Sequence, residues 1–283
     1  MNRQRFRWSG GSELSFVEMG DRSHPAILLL HGFPSSSATF REIAPALSAV
    51  ARVIVPDLPG FGESEPLPAP RFADFADAIA ELLDHVGVQR LIIYLHDFGA
   101  PVGLELAMRQ PERVAGLVIQ NANAHRSGQG QGWAGTHAYW ARPTPENEAA
   151  ATAHLTREGT REQYVAGVPS DVATRISPAV WEEDWRVMQL PGRMATQRAL
   201  VADYGRYSAR FGEIAAYLRE HQPPALLLWG RHDVFFDLAE VLSWMEDLPR
   251  MEAHVLDGGH FLLETHAAEA SALIAAFIRR LGQ

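Results

Sequence analysis

Three residues of this chain have the types and placement needed to break a covalent bond: Asp97, Asp233 and His260. Asp97 follows the apolar run Leu91–Leu95 and His96, and Phe98-Gly99 come next. A carboxylate there stands at the carboxyl end of a buried strand, where open α/β sheets bind ligands. Gly99 lets the backbone turn sharply into the next element. The same placement suits a helix N-cap, so the weight of Asp97 comes from its partners. Asp233 ends the text Gly230-Arg-His-Asp, just past the apolar run Ala225–Trp229. His260, one of 12 histidines, differs from the others in following Gly258-Gly259 after the last strand-like segment. An ionised carboxylate is nucleophilic without a base. It can displace a leaving group at sp³ carbon and become an ester, which water activated by a histidine then hydrolyses. A second carboxylate holds the tautomer and charge of that histidine.

The loop His31-Gly-Phe-Pro34 directly follows the apolar run Ala26–Leu30. It is placed to supply one backbone N–H, from Phe33, to a developing oxyanion; the residue after the nucleophile, Phe98, supplies the other. The Phe33–Pro34 bond is a candidate for the cis form.

Positioning these groups requires a sheet. Leu14–Met19, Ala26–Leu30, Val53–Val55, Leu91–Leu95 and Gly116–Gln120 are short and almost wholly apolar, as strands buried on both faces are. Phe72, Phe75, Ile79, Leu82, Leu83 and Val86 recur at helical spacing between them, and a second helix spans Ala100 to Arg109, ahead of Pro111. After Pro224 the alternation resumes, with strands at Ala225–Trp229 and Ala253–Leu256 and helices at Leu238–Glu246 and Glu269–Leu281. The pattern predicts an α/β fold with a mostly parallel, doubly wound sheet. Between the two zones no buried strand is evident. Ser127–Gly135 is glycine-rich and loop-like, whereas Val180–Met188 and Thr196–Ala202 are helical. Residues 123–222 are therefore expected to form a helical cap inserted into a core made of residues 1–122 and 223–283.

Composition narrows the function. A net charge of −9 with no Lys/Arg run argues against nucleic acid as a partner. Cysteine is absent, which excludes disulfides and thiolate metal sites. The segment Met1–Gly11 is polar and basic, without the apolar stretch of a secretory signal, and no apolar run approaches the ~20 residues that cross a bilayer. The expectation is a cytoplasmic enzyme, monomer or homodimer, acting on a small apolar substrate with no cofactor, no metal and no membrane partner.

Taken together, His31–Pro34 (HGFP), Asp57–Ser64 (DLPGFGES), His96–Gly99 (HDFG), Gly230–Asp233 (GRHD) and Gly258–His260 (GGH) resemble the α/β-hydrolase superfamily. The resemblance is to its epoxide hydrolase and haloalkane dehalogenase branch and covers essentially the whole chain. It implies the order nucleophile Asp97, acid Asp233, base His260. Similar dehalogenases often carry an indole beside the nucleophile, and many place Asn or Glu after His-Gly. Here those positions hold Phe98 and Phe33, which tilts the resemblance toward epoxide hydrolysis. Fluoroacetate dehalogenases carry Arg where Phe98 stands. Similar epoxide hydrolases use cap tyrosines to activate the ring oxygen, and the text Ala202-Asp-Tyr204-Gly makes Tyr204 the first candidate, with Tyr207 its neighbour. Tyr139 is the candidate for the first cap tyrosine, and His31 and Trp140 complete the expected substrate-binding set. Asn121 and Asn123, at the end of the strand before the cap, suit a turn or a ligand contact. Haloalkane hydrolysis through another donor, such as Asn123 or a cap tryptophan, and hydrolysis of a small ester or lactone are the alternatives.

Overall fold

In the computed structural model, which describes residues 3–282, eight strands form one sheet. They are β1 (Arg3–Arg7), β2 (Glu13–Met19), β3 (Ala26–Leu30), β4 (Arg52–Pro56), β5 (Leu91–His96), β6 (Val114–Gln120), β7 (Ala225–Gly230) and β8 (Glu252–Leu256). The spatial order is β1-β2-β4-β3-β5-β6-β7-β8. The β1/β2 and β2/β4 pairs are antiparallel and all others parallel. The apolar runs earn their central places because β3, β4, β5 and β7 are buried at every residue. Their alternation divides the core. Leu28, Leu30, Ile93 and Leu95 pack on one face with Phe75, Ile79 and Leu104. Ile27, Leu29, Ile92 and Tyr94 pack on the other with Ile43, Ile274 and Phe277. Each fully buried side chain of this size contributes roughly 1.5–3 kcal/mol before chain entropy is subtracted.

The helices flanking the sheet are α1 (Ile43–Leu47), α2 (Phe72–His85), α3 (Gly99–Arg109), α11 (Ala239–Asp247) and α12 (Leu263–Leu281). Between β6 and β7 the regular structure is helical throughout: α4 (Ala134–Ala141), α5 (Pro145–Ala151), α6 (Arg157–Val165), α7 (Ser170–Ala173), α8 (Pro178–Met188), α9 (Arg193–Ala209) and α10 (Phe211–His221), preceded by short 3₁₀ turns. Local chemistry starts three of these helices. Thr144, Thr156 and Ser177 accept first-turn N–H groups through their hydroxyls, and Pro145 and Pro178 occupy the first helical position. Polar ties hold this segment to the sheet layers. Asp203 on α9 accepts the Phe72 N–H at the start of α2 at 2.9 Å, and Arg193 donates to the carbonyls of Phe61 and Ser64.

Three expectations change. Arg3–Arg7 is a strand, missed because an edge strand with four exposed residues carries no apolar alternation. Its arginines pair with Glu13, Asp57 and Glu63 instead. The loop expected over Ser127–Gly135 already starts helix α4 at Ala134, and Thr196–Ala202 is the middle of the 17-residue α9.

The turn out of β5 leaves no spare room. A Cβ on Gly99 would lie 2.4 Å from the Leu30 carbonyl oxygen and 2.7 Å from its carbon, both backbone atoms of a central strand. Gly99→Ala is therefore expected to lower unfolding free energy by about 1–3 kcal/mol, as overpacking does, read as a lower urea midpoint at unchanged slope. An unchanged midpoint contradicts this packing.

Candidate active site

Asp97 occupies the first position after β5 with φ +47°, a left-handed conformation costly for a residue with a side chain. The strain sets the carboxylate upright between two loops. The Phe33 N–H donates to its Oδ1 at 2.6 Å. Gly32 permits that approach, because a Cβ there would meet the Asp97 side chain at 2.3 Å. The Phe33–Pro34 peptide is cis. Burial pushes the Asp97 carboxyl above the usual aspartate value, while His260 and the N–H groups of Phe33 and Phe98 hold it down. The two donors expected for an oxyanion thus act on the carboxylate itself, with Phe33 on one of its two oxygens.

The other oxygen, Oδ2, lies 3.8 Å from Nε2 of His260. The opposite ring nitrogen, Nδ1, is 2.8 Å from Oδ2 of Asp233. Asp233 is fully supplied with donors: its Oδ1 accepts the N–H groups of Phe235 and Phe236 at 2.7 and 3.1 Å, and Oδ2 also accepts the Asn121 amide at 2.8 Å. The charge is therefore stabilised where it stands, and Nδ1 of His260 is the protonated nitrogen. Burial draws the imidazole pKa down, but Asp233 and Asp97 outweigh it and the net shift is upward. The backbone of His260 is anchored as well. Its carbonyl oxygen lies 3.2 Å from both His96 Nε2 and Gln120 Nε2, and Gln120 accepts the Tyr94 hydroxyl.

The carboxylate opens into a cavity of about 290 Å³. Phe33, Phe98, Trp133, Trp140, Phe235 and Phe236 supply aromatic wall; Val201 and Val234 add apolar surface; Thr136, His154, Gln163 and Tyr204 are the polar members beside Asp97. No Lys or Arg lines it. Tyr204 is buried, with no partner for its hydroxyl among the described residues and its ring stacked on Trp140 at 5.9 Å and 11°. Burial first, then Tyr207, Asp97 and Glu240, raises its phenol well above the usual value, so it is a neutral donor. Burial lowers His154 to about 4, which leaves it uncharged at neutral pH.

The structure brings Asp97, His260, Asp233, Phe33, Phe98, Tyr204 and Trp140 together around one cavity. Two substrate-binding candidates are not among them. Tyr139 lies outside this cavity and lines an outer groove with Arg71 and Pro143. Trp133, Thr136 and Trp140 follow helical spacing toward Asp97, and position 139 is one residue, about 100°, out of phase with Trp140. His31 is wholly buried behind the loop. Its Nε2 accepts the Leu58 N–H at 3.0 Å, and desolvation holds it neutral at a pKa of about 4. It braces the loop and does not line the cavity. Sequence reasoning missed His154 and Gln163, which belong to no motif, and left the role of Asn121 open. Helical phase alone could have paired Trp133 and Thr136 with Trp140.

A profile of the alpha/beta hydrolase fold family matches residues 25–267. A hydrolase of Saccharomyces cerevisiae is 33% identical over 274 residues, covering 94% of each chain. Haloalkane dehalogenase 2 of Mycobacterium tuberculosis is 26% identical across 98% of this chain and 94% of that protein. The solved structure of the epoxide hydrolase CorEH superposes with a TM-score of 0.77 over 99% of both chains at 23% identity.

Asn121 tests the buried acid. Asn121→Gly keeps a backbone suited to its φ of +38° but removes a donor to a carboxylate. It is expected to cost about 1.5–3 kcal/mol in urea unfolding, and Asn121→Asp, facing Asp233 with like charge, more. Equal stability of both variants and the parent contradicts this role.

Proposed function

The chain belongs to the α/β-hydrolase fold family, and within it we propose a hydrolase that opens neutral, apolar epoxides to diols through an ester on Asp97. Oδ2 attacks one ring carbon, the C–O bond breaks, and the Tyr204 hydroxyl gives its proton to the leaving oxygen. Oδ1, which already accepts the Phe33 N–H, becomes the ester carbonyl oxygen. Nε2 of His260 then takes a proton from water, whose oxygen attacks Cγ of Asp97. In this reading the N–H groups of Phe33 and Phe98 hold the resulting oxyanion on Oδ1. Collapse expels the diol oxygen, which takes that proton from His260, and the second water proton restores Tyr204. Asp97 keeps the water oxygen. The helical segment between β6 and β7 acts in this reading as the cap that carries the acid.

One observation favours an epoxide over a haloalkane. A departing halide needs free N–H donors, yet both indoles of the cavity have spent theirs: Trp133 Nε1 donates to the Phe235 carbonyl at 2.7 Å and Trp140 Nε1 to the Val201 carbonyl at 2.8 Å. Residue 98 is a phenylalanine. Tyr204 lines the cavity with Asp97, and its buried hydroxyl, which has no hydrogen-bond partner among the described residues, is in this reading the donor an opening ring requires. Aromatic walls without a cation suit an uncharged substrate.

His260→Gln separates the two steps. Incubated with epoxides, this variant is expected to gain the whole epoxide mass on the Asp97 peptide. A mass equal to a haloalkane minus HX, from a parallel haloalkane series, would instead make the enzyme a dehalogenase. No adduct from either series turns the reading toward ester or lactone substrates. Tyr204→Phe is expected to slow ester formation by about 10²–10⁴-fold, the scale of general acid catalysis, and an unchanged rate would contradict the assignment.

The pH dependence has a definite sign. In the free enzyme the Asp97 charge helps hold His260 above its ordinary value. Esterification removes that charge, so His260 is expected to titrate lower in the ester than in the free enzyme. The acid limb of ester decay in single turnover should therefore lie below the His260 midpoint seen by NMR in the free enzyme. Coincident midpoints contradict the coupling.

A further inference from the structure

Three buried polar atoms of two neighbouring residues have no hydrogen-bond partner among the described residues: the Tyr204 hydroxyl and both ends of the Asn123 side-chain amide. Tyr204 is 2% exposed and Asn123 fully buried. Buried amides without partners are rare, because a lost hydrogen bond to water is not replaced. The two residues are neighbours. Asn123 lies three positions beyond the end of β6, and its backbone carbonyl accepts the hydroxyl of Tyr207. The Tyr207 ring meets the Tyr204 ring edge-on at 5.1 Å. Tyr204 lines the cavity and Asn123 does not, and the Asn123 side chain is close enough to act on the phenol.

We infer that Asn123 is a positioning residue, whose amide N–H donates to Tyr204 Oη and so keeps the phenol proton turned toward the leaving oxygen. The inference rests on the epoxide reading for the role of Tyr204. A phenol has one proton, and an acceptor behind it would capture that proton. An amide NH₂ only donates. As the proton passes to the opening oxygen, negative charge grows on Oη, and the same N–H then binds it more strongly. The contact is thus stronger in the transition state than in the ground state, which is the requirement for a rate effect. The Asn123 amide already opposes the influences that raise the Tyr204 pKa.

A double-mutant cycle on the two steps tests this role. Asn123→Leu keeps the branched shape of the side chain and removes both polar atoms; Asn123→Asp replaces the donor with an acceptor. In single turnover with an epoxide, Asn123→Leu is expected to slow ester formation by about tenfold, the upper scale of one neutral hydrogen bond. Asn123→Asp should slow it further, while ester decay is unchanged in both. In a Tyr204→Phe background, Asn123→Leu is expected to have no added effect. Slowing of both steps, or a loss that adds to that of Tyr204→Phe, marks a merely structural amide and overturns the role. Ester formation at the parental rate in both Asn123 variants overturns it as well. If the parent forms no ester with any epoxide, the epoxide reading falls and this role with it.

Discussion

Almost everything in this protein answers to one buried anion. The Asp97 carboxylate is carried on a residue with φ +47° at the end of a fully buried strand, and one of its oxygens is met by a backbone N–H at 2.6 Å. Burying an unpaired carboxylate is expensive, so donors must be organised around it by the fold itself. The HGFP loop supplies Phe33, and the elbow supplies Phe98. His260 stands on the far side, held in turn by Asp233, which draws on two backbone N–H groups and Asn121. Each layer uses main-chain geometry to fix a side chain, and that geometry comes from the C-terminal ends of parallel strands. The two Asp97 oxygens are therefore unlike: Oδ1 accepts the Phe33 N–H, and Oδ2 faces His260 Nε2 at 3.8 Å.

The aromatic enclosure is the second part of the same arrangement. His260 is flanked by the rings of Phe235, Phe236 and Phe261 at 5.2–5.5 Å, and Tyr204 by Phe98, Trp133 and Trp140 at 5.1–5.9 Å or 6.0 Å. Such walls exclude bulk water and strengthen the interactions among Asp97, His260 and Asp233. They also engage the indole N–H groups of Trp133 and Trp140, whereas the buried Tyr204 hydroxyl has no partner among the described residues.

The parts of the site legible in the sequence are those written beside a strand end. HGFP, HDFG, GRHD and GGH each follow an apolar run whose burial on both faces sets the direction of the next residue, so Phe33, Asp97, Asp233 and His260 were readable. The helical segment was less so. Its helices begin with local caps, but their rotation about their axes depends on distant ties such as Asp203 to the Phe72 N–H. One residue of helical phase separates Trp140, in the cavity, from Tyr139, in the outer groove. His154 arrives from the turn between α5 and α6 with no periodic signal, and the β1 strand is too polar to be recognised without its partner. His31 misled because a motif residue can serve the loop and not the ligand.

The central claim is that Asp97 is the nucleophile, and the fate of one oxygen atom decides it. A single turnover of excess enzyme with an epoxide in H₂¹⁸O, followed by mass analysis of the peptide containing Asp97, makes the measurement. The account predicts ¹⁸O in the Asp97 carboxylate and an unlabelled diol. Label in the diol with none in Asp97 would mean that water attacks the substrate directly, and Asp97 would then be a base.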